Sequence, residues 1–272
     1  MMESSRRADP SLSRAIGMAR DALANAPAGL LTDFDGTLSP IVQDPSMSRL
    51  VDGADGALAA LVERLAVVAI ITGRAPLDAR RMTGVPGLLV AGNHGTEWLE
   101  PGADEPIAAP EASAIRAGLD IVLARLPELP GVSVEHKGLS ATVHYRRAPD
   151  PDRALRAILE ALGDMTASGL RPRRGRMSLE LRPTGLGDKG TAAHAIIERF
   201  GLRGVVVMGD DITDLDMFRA AAHLRSLGRI HGAIIGVGGA DHEVPAAVVE
   251  ASDIVLEDPS AAAALLVSLG RG

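Results

Sequence analysis

Short apolar runs alternate with amphipathic stretches along most of the chain. The apolar runs, which are rich in Val, Ile and Leu, lie at 29–34, 66–72, 87–92, 204–210, 232–237 and 253–257. The stretches with helical spacing lie at 12–23, 55–65, 75–83, 190–200, 214–221 and 260–269. Continuous apolar strands with helices between them are typical of a parallel sheet that is covered on both faces. The pattern therefore predicts a doubly wound, mostly parallel α/β fold.

The middle of the chain follows a different pattern. Helices are predicted near 111–126 and 151–163. The stretches at 131–138 and 139–146 alternate residue by residue, as half-exposed antiparallel strands do. We therefore predict an α+β insert within the doubly wound sheet. The predicted division is a first core segment at 1–107, an insert at 108–183 and a second core segment at 184–272.

Composition and charge narrow the class of protein. The chain has 272 residues, a net charge of −7, 2% aromatic residues and no cysteine. The absence of cysteine excludes disulfides, iron–sulfur clusters and cysteine nucleophiles. Binding of nucleic acid usually needs a basic face and aromatic platforms, which this composition does not favour. No stretch is apolar enough to span a bilayer, and the N-terminus lacks the apolar core of a signal peptide. We expect a cytoplasmic monomer that binds neither nucleic acid nor membranes.

Two acids stand two positions apart at the end of the first predicted strand, in "LLTDFDGTLSPI". Residues two apart on an extended chain point to the same side, with Cα atoms about 6.5–7 Å apart. Asp33 and Asp35 can therefore face one phosphorus atom, while Phe34 points into the core. Gly36 allows the backbone to turn away or to approach a ligand closely. Such a pair can supply one nucleophile and one proton donor.

Three further polar turns are predicted around the same edge of the sheet, where open parallel sheets bind their ligands. "TGR" begins at Thr72, "GDKG" contains Lys189, and "GDDITD" contains Asp210. Converging carboxylates repel one another unless a cation holds them, and Mg²⁺ commonly binds carboxylates together with phosphate oxygens. Any one of these turns alone is more typical of a cap or a loop. All four together indicate a reaction centre for a phosphate group.

The motifs "DFDGTLSPI", "ITGR", "GDKG" and "GDDITD" resemble those of the haloacid dehalogenase (HAD) superfamily phosphatases. Together with "GNHG" (92–95), "VEHKGLSATVHYR" (134–146) and "GRMSLELRP" (175–183), they resemble the trehalose-6-phosphate phosphatases. The resemblance extends from residue 29 to about 220 and is weaker afterwards. It implies a Rossmann-like HAD core with an inserted cap. The implied activity is Mg²⁺-dependent hydrolysis of trehalose 6-phosphate, a small-molecule sugar phosphate, to trehalose and phosphate.

The resemblance also implies roles for the motif residues of the core. Asp33 would be the nucleophile that forms an aspartyl-phosphate, and Asp35 would act first as acid and then as base. The residues implied to bind the phosphoryl group or the substrate are Thr72, Gly73, Arg74 and Lys189. The implied Mg²⁺ ligands are the Asp33 carboxylate, the main-chain carbonyl of Asp35 and Asp210, with Asp214 orienting a ligand water. At position 215, where the family usually has an acid, this chain has Leu215.

In the insert, the resemblance implies sugar contacts from Glu135, Lys137, Arg146, Arg176 and Glu180. Glu135 and Lys137 stand two apart on one face of a predicted strand, near a paired strand with His144 and Arg146. Sugar hydroxyls need such mixed donors and acceptors. For any one of these residues, the alternative is a solvated face of charged pairs. At position 176 the family more often has Lys, and a planar guanidinium is not equivalent to an ammonium.

Other interpretations remain open at this point. His94, in "NHG", is expected at a turn or a domain interface rather than as a catalyst. A phosphatase with the same core could act on another sugar phosphate, such as sucrose phosphate or a glycosyl-phosphoglycerate. An inactive phosphosugar-binding module would be expected to lack Asp33 or Asp35, and both are present.

Overall fold

The computed structural model describes residues 10–42, 44–108, 112–165, 168–175, 177–185, 187–239 and 244–271. The helices are α1 (Pro10–Leu23), α2 (Ala54–Val62), α3 (Pro76–Thr83), α4 (Ala112–Leu123), α5 (Pro151–Leu162), α6 (Lys189–Arg199), α7 (Leu215–Ser226), α8 (Ala246–Ala251) and α9 (Pro259–Gly270). The strands are β1 (Ala28–Thr32), β2 (Val67–Ile71), β3 (Leu89–Gly92), β4 (Glu97–Leu99), β5 (Ile107–Ala108), β6 (Ser133–His136), β7 (Ala141–His144), β8 (Leu170–Gly175), β9 (Ser178–Pro183), β10 (Gly204–Gly209), β11 (His231–Val237) and β12 (Ile254–Leu256). Among the described residues, none of these helices has the length and apolarity that a membrane crossing requires.

The larger sheet has the strand order β12-β11-β10-β1-β2-β3-β4-β5. The strands from β12 to β3 pair in parallel, and β4 and β5 add an antiparallel edge. Successive side chains of a strand point to opposite faces. Leu30 therefore belongs to the apolar cluster that includes α1, α2 and α9, and Leu31 to the cluster that includes α6 and α7. Both faces are covered, which explains the continuous apolar runs. The predicted doubly wound fold is confirmed.

Three short elements of this core were not predicted from the sequence. Strands β4 and β5 have three and two residues, and α8 has six. Segments of this length contain too few residues to show a period. The N-terminal boundary predicted for α4, residue 111, lies outside the described residues.

The smaller sheet lies in the middle of the chain and has the antiparallel order β6-β7-β9-β8. Val143 and Leu179 on one face pack in a separate apolar cluster with Ile115 of α4 and Ile158 of α5. The opposite face is polar, because Glu135 pairs with Thr142, Thr142 with Glu180, and Glu180 with Arg173 across the strands. The predicted α+β character of the middle region is thus observed. The exact domain boundaries stay a prediction.

The strands at the centre of the larger sheet end at the same level. Thr32, the last residue of β1, is in register with Met208 of β10 and Ile70 of β2. The next amide, that of Asp33, donates a hydrogen bond to the Met208 carbonyl at 3.0 Å. The first residues beyond these strands therefore lie side by side, as expected for the carboxyl edge of a parallel sheet.

Candidate active site

Three buried carboxylates converge beyond the ends of β1 and β10. Asp33, Asp210 and Asp214 each place a carboxylate oxygen within 4.8 Å of the others. Asp33 directly follows β1, and Asp210 directly follows β10. A single turn of 3₁₀ helix, Ile212–Asp214, places the Asp214 carboxylate next to that of Asp210. The Oδ2 atom of Asp214 accepts hydrogen bonds from the amides of Asp210 (2.9 Å) and Asp211 (3.0 Å), which fixes this turn.

Lys189 inserts its ammonium group into this cluster. Its Nζ atom lies 2.8 Å from Asp33 Oδ1 and 2.7 Å from Asp214 Oδ1, and its side chain is only 2% exposed. Lys189 is the first residue of α6, which Asp188 caps through a capping box with Thr191. Burial alone would lower the pKa of Lys189, but Asp214 and Asp33 outweigh it and raise the pKa. The ammonium is therefore a permanent charge of the site.

The carboxylates outnumber the single cation among these four groups. Burial raises the pKa of Asp33 to about 7, and the charges of Asp214 and Asp35 add to this effect against the attraction of Lys189. Burial and the same kind of repulsion, from Asp214 and Asp33, raise the pKa of Asp210. A divalent cation would relieve this repulsion, and carboxylate oxygens are the ligands that hard divalent cations prefer. The cluster therefore fits a divalent metal ion.

The contacts of the three carboxylates indicate different roles toward such an ion. Both oxygens of Asp214 already accept hydrogen bonds from protein groups, namely Lys189 and two backbone amides. Asp210 accepts one from Thr37 Oγ1 at 2.8 Å. Asp33 and Asp210 are therefore better placed as direct ligands, while Asp214 is better placed to hold the site in shape.

The loop after β1 passes so close to Asp210 that position 36 must be glycine. Its φ angle is +83°, in the left-handed region that favours glycine. A Cβ atom at this position would lie only 2.0 Å from Asp210 Oδ2. Any side chain at position 36 would therefore displace a carboxylate of the cluster.

Asp35 does not join the buried cluster but is bound by Arg74. The guanidinium donates from Nε to Asp35 Oδ2 and from Nη2 to Asp35 Oδ1, both at 2.6 Å. Ser48 Oγ donates to the same Oδ1 at 3.1 Å, and the Arg74 guanidinium lies 5.6 Å from the centre of the Phe34 ring. The Asp35 side chain stays 35% exposed. Arg74 was predicted to bind substrate, and the structure places it on Asp35, where it fixes the plane of this carboxylate.

The other residues of the predicted phosphate loop lie at the end of β2. Thr72 is buried, and its Oγ1 accepts a hydrogen bond from the Arg74 amide at 3.3 Å. Gly73 lies against the imidazole of His94, because a Cβ atom at Gly73 would come within 2.8 Å of that ring. Ser48 was not predicted, and its position in a loop gives no signal of its contact with Asp35.

The polar face of the insert brings three of the five predicted sugar-binding residues together. Glu180 Oε1 lies 2.8 Å from His94 Nε2 of the core. Glu135 Oε2 lies 2.9 Å from His144 Nε2 and 3.9 Å from Lys137 Nζ. Burial would raise the pKa of Glu180, but the contact with His94 and the charge of Lys137 lower it to about 2. Glu135, Lys137 and Glu180 therefore form one charged surface that reaches the core.

The remaining two predicted sugar-binding residues are placed differently. Strand β7 ends at His144, so Arg146 lies in the following turn, where it is exposed. The prediction that Arg146 lies on the strand paired with Glu135 is therefore wrong, since β7 ends at His144. Lys137 was predicted on the same strand as Glu135, but β6 ends at His136 and Lys137 follows it. Arg176 lies outside the described residues. Leu215, which departs from the family pattern, is buried at the start of α7 among apolar side chains.

The structure combines a doubly wound sheet, a buried carboxylate cluster at its strand ends and an inserted α+β region, which is the arrangement expected above from the motifs. The sequence profile of the trehalose-phosphatases matches residues 31–242. The chain belongs to the trehalose-phosphatase family. The family expected from the motifs is thereby confirmed.

Individual relatives agree with this result. The chain is 40% identical over 222 residues to the trehalose-phosphate phosphatase of Mycobacterium avium (strain 104), a match covering 78% of this chain and 56% of that protein. It is 37% identical over 227 residues to that of Mycobacterium leprae (strain TN), covering 79% and 52%. The chain thus spans about half the length of the curated relatives it matches. The solved trehalose-6-phosphate phosphatase C-terminal domain of C. albicans shares the fold, with a TM-score of 0.74, 23% identity and coverage of 94% of this chain and 97% of that one.

The contact between Gly36 and Asp210 leads to a testable prediction about the cation site. Gly36→Ala should lower the free energy of unfolding and weaken divalent cation binding, because the new methyl group displaces Asp210. The matched control is Gly102→Ala, where φ is +76° and a Cβ would meet nothing within 4 Å. In the control, the free energy of unfolding should fall only by the cost of placing alanine in the left-handed conformation, about 1–2 kcal/mol. Urea unfolding and calorimetric titration with Mn²⁺ or Mg²⁺ measure both effects. Unchanged cation affinity in Gly36→Ala would show that Asp210 does not need this close approach.

Proposed function

We propose that this protein hydrolyses trehalose 6-phosphate to trehalose and phosphate, with Mg²⁺ and a covalent phosphate on Asp33. The observation that carries the proposal is the buried group of Asp33, Asp210, Asp214 and Lys189 at the strand ends, next to a charged insert surface that reaches the core through Glu180. The names of the relatives support the substrate. A cytoplasmic location and a monomeric state stay predictions.

In the proposed first step, a carboxylate oxygen of Asp33 attacks the phosphorus atom. The bond between phosphorus and the sugar oxygen breaks, and Asp35 transfers its proton to that oxygen. In the second step, ionised Asp35 takes a proton from a water molecule whose oxygen attacks the same phosphorus. Phosphate leaves, and the Asp33 carboxylate is regenerated. The exposure of Asp35 supports this role, since the group must meet the leaving sugar and then water.

Two basic side chains contact the reacting carboxylates and fix their charge or orientation. Lys189 lies on Asp33 and can neutralise the charge of an incoming phosphoryl group at the point of attack. Arg74 donates to both oxygens of ionised Asp35 and so fixes the plane of the carboxylate that takes a proton from water in the second step. Thr72 is assigned to the phosphoryl group by its position at the end of β2.

Asp33, Asp210 and the main-chain carbonyl of Asp35 would hold the Mg²⁺ ion, with Asp214 shaping the site. When bound, the ion would neutralise negative charge on the phosphoryl oxygens. The oxygen-rich donor set supports Mg²⁺ over softer metals, which favour nitrogen or sulfur ligands.

The insert is assigned to sugar recognition. Glu135, Lys137 and Glu180 offer charged acceptors and donors on a surface next to the reacting groups. Arg146 and Arg176 are assigned by family resemblance. Closure of this surface over the substrate would exclude bulk water from the reacting groups.

The roles of the two acids can be separated by isosteric substitution. Asp33→Asn removes the attacking carboxylate, so phosphate release should fall by several orders of magnitude while the fold is retained. Asp35→Asn removes proton transfer and one of the two hydrogen bonds with Arg74. It should lower turnover by about 10²–10⁴-fold. Phosphate release and circular dichroism measure the two effects. Near wild-type turnover of Asp33→Asn, after deamidation to Asp is excluded by mass spectrometry, would contradict the mechanism.

Removal of the cation should abolish turnover and leave the protein folded. EDTA should inactivate the enzyme, and added Mg²⁺ should restore it. Because the pKa of Asp33 is raised to about 7, protons compete with the cation for this ligand at lower pH. The pKa of Asp210, the second ligand, is raised as well. Calorimetry should therefore find Mg²⁺ affinity at least about tenfold weaker at pH 6 than at pH 8. Full turnover after thorough chelation would contradict the proposed need for Mg²⁺, and an affinity independent of pH would contradict the assignment of Asp33 as a ligand.

The insert should affect sugar substrates selectively. Glu180→Ala should lower kcat/KM for trehalose 6-phosphate by about 10- to 150-fold, the effect of losing a hydrogen bond to a charged group. Hydrolysis of p-nitrophenyl phosphate, which lacks the sugar, should change little. Lys189→Ala is the control, because it should damage both reactions. Equal losses on both substrates in Glu180→Ala would contradict the sugar-binding role, and faster turnover of sucrose phosphate or a glycosyl-phosphoglycerate would favour that substrate instead.

A further inference from the structure

The surface of the insert that is assigned to sugar binding contacts a histidine of the core. His94 lies between β3 and β4 of the core, and Glu180 lies in β9 of the insert, 86 positions later. Their side chains meet at 2.8 Å, from Nε2 to Oε1, with 8% and 16% of their surfaces exposed. We propose, on the basis of the proposed function, that His94 is a positioning residue that orients the Glu180 carboxylate toward the sugar.

The ring of His94 is held in place by the core. Its backbone has a φ angle of +58°, and its amide donates to the Thr72 carbonyl at 2.8 Å. The imidazole lies directly on Gly73, where a Cβ would come within 2.8 Å of the ring. The position of the histidine is therefore tied to the loop that is assigned to the phosphoryl group. Through His94, the same loop sets the position of Glu180.

The charge states of the pair determine which atom donates the hydrogen bond. Burial lowers the pKa of His94 to about 4, so the ring is neutral at neutral pH. An ionised carboxylate only accepts, so the single N–H must lie on Nε2 and donate to Glu180 Oε1. Nδ1 is buried and meets no donor among the described residues. The other carboxylate oxygen, Glu180 Oε2, lies 4.0 Å from Arg182 Nε. One oxygen is thus fixed by the core, and the second, which lies near a cation but accepts no hydrogen bond among the described residues, can receive a sugar hydroxyl.

A simpler role for His94 would be to attach the insert to the core. Two other contacts already do this without touching Glu180. Ser140 Oγ of the insert donates to Asn93 Oδ1 at 3.0 Å, and Arg116 of α4 donates to Glu97 at 3.2 Å. Because these contacts are separate, docking and orientation can be tested separately.

The test uses two substitutions of His94 that differ in reach. His94→Asn suits the left-handed backbone, because Asn tolerates positive φ, but its amide stops near the position of Nδ1 and cannot reach Glu180. His94→Gln extends an amide N–H toward the position of Nε2. We expect His94→Asn to lower kcat/KM for trehalose 6-phosphate by about 10- to 150-fold, mainly through KM, with p-nitrophenyl phosphate nearly unchanged. We expect His94→Gln to restore most of this loss.

A double-mutant cycle decides whether His94 acts through Glu180. Adding His94→Asn to Glu180→Ala should cause little further loss, because its target is already gone. Ser140→Ala, which removes only a docking contact, should have less effect than His94→Asn on trehalose 6-phosphate. Additive losses in the cycle, an equal loss on p-nitrophenyl phosphate, or an identical effect of Ser140→Ala would each overturn the proposal. If the wild-type protein prefers another sugar phosphate, the trehalose assignment fails, and the same cycle is measured on that substrate.

Discussion

The site depends on one buried ammonium group between two carboxylates. Lys189, Asp33 and Asp214 come from three separate elements, and none of them could be buried as an ion without the others. Removing one partner of such a group leaves an uncompensated buried charge, which typically costs about 3–5 kcal/mol. The same contacts hold β1, the start of α6 and the turn before α7 at fixed distances. The chemistry assigned to the site and the packing of its strand ends therefore rest on the same three side chains.

The fold and the core of this site could be read from local features of the sequence. A strand that is covered on both faces must be apolar throughout, so the central strands were visible as continuous runs. The residue after such a strand must lie at the sheet edge, which placed Asp33, Thr72 and Asp210 at one end of the molecule. Lys189 was found in the same way, because the Gly-Asp sequence before it is typical of a helix start.

The remaining features depend on contacts between distant segments, which no local pattern contains. Two loops approach each other to bring together Asp35, Ser48 and Arg74. The sequence therefore predicted the acid at position 35 but not its ion pair with Arg74. Arg146 was misplaced for a different reason. The alternation of apolar and polar residues continues through Tyr145 to Arg146, but the backbone forms a turn there, with the Ala148 amide donating to the Tyr145 carbonyl. His94 was expected at an interface, and only the structure shows that its partner is Glu180.

Three of the described contacts between the core and the insert start from neighbouring residues, namely Asn93 and His94 after β3 and Glu97 at the start of β4. These three contacts share neighbouring residues, so loss of one would disturb the geometry of the other two. His94 also donates its amide to the Thr72 carbonyl at the end of β2. A change in the segment at 92–97 would therefore alter the edge of the core sheet and the polar face of the insert together.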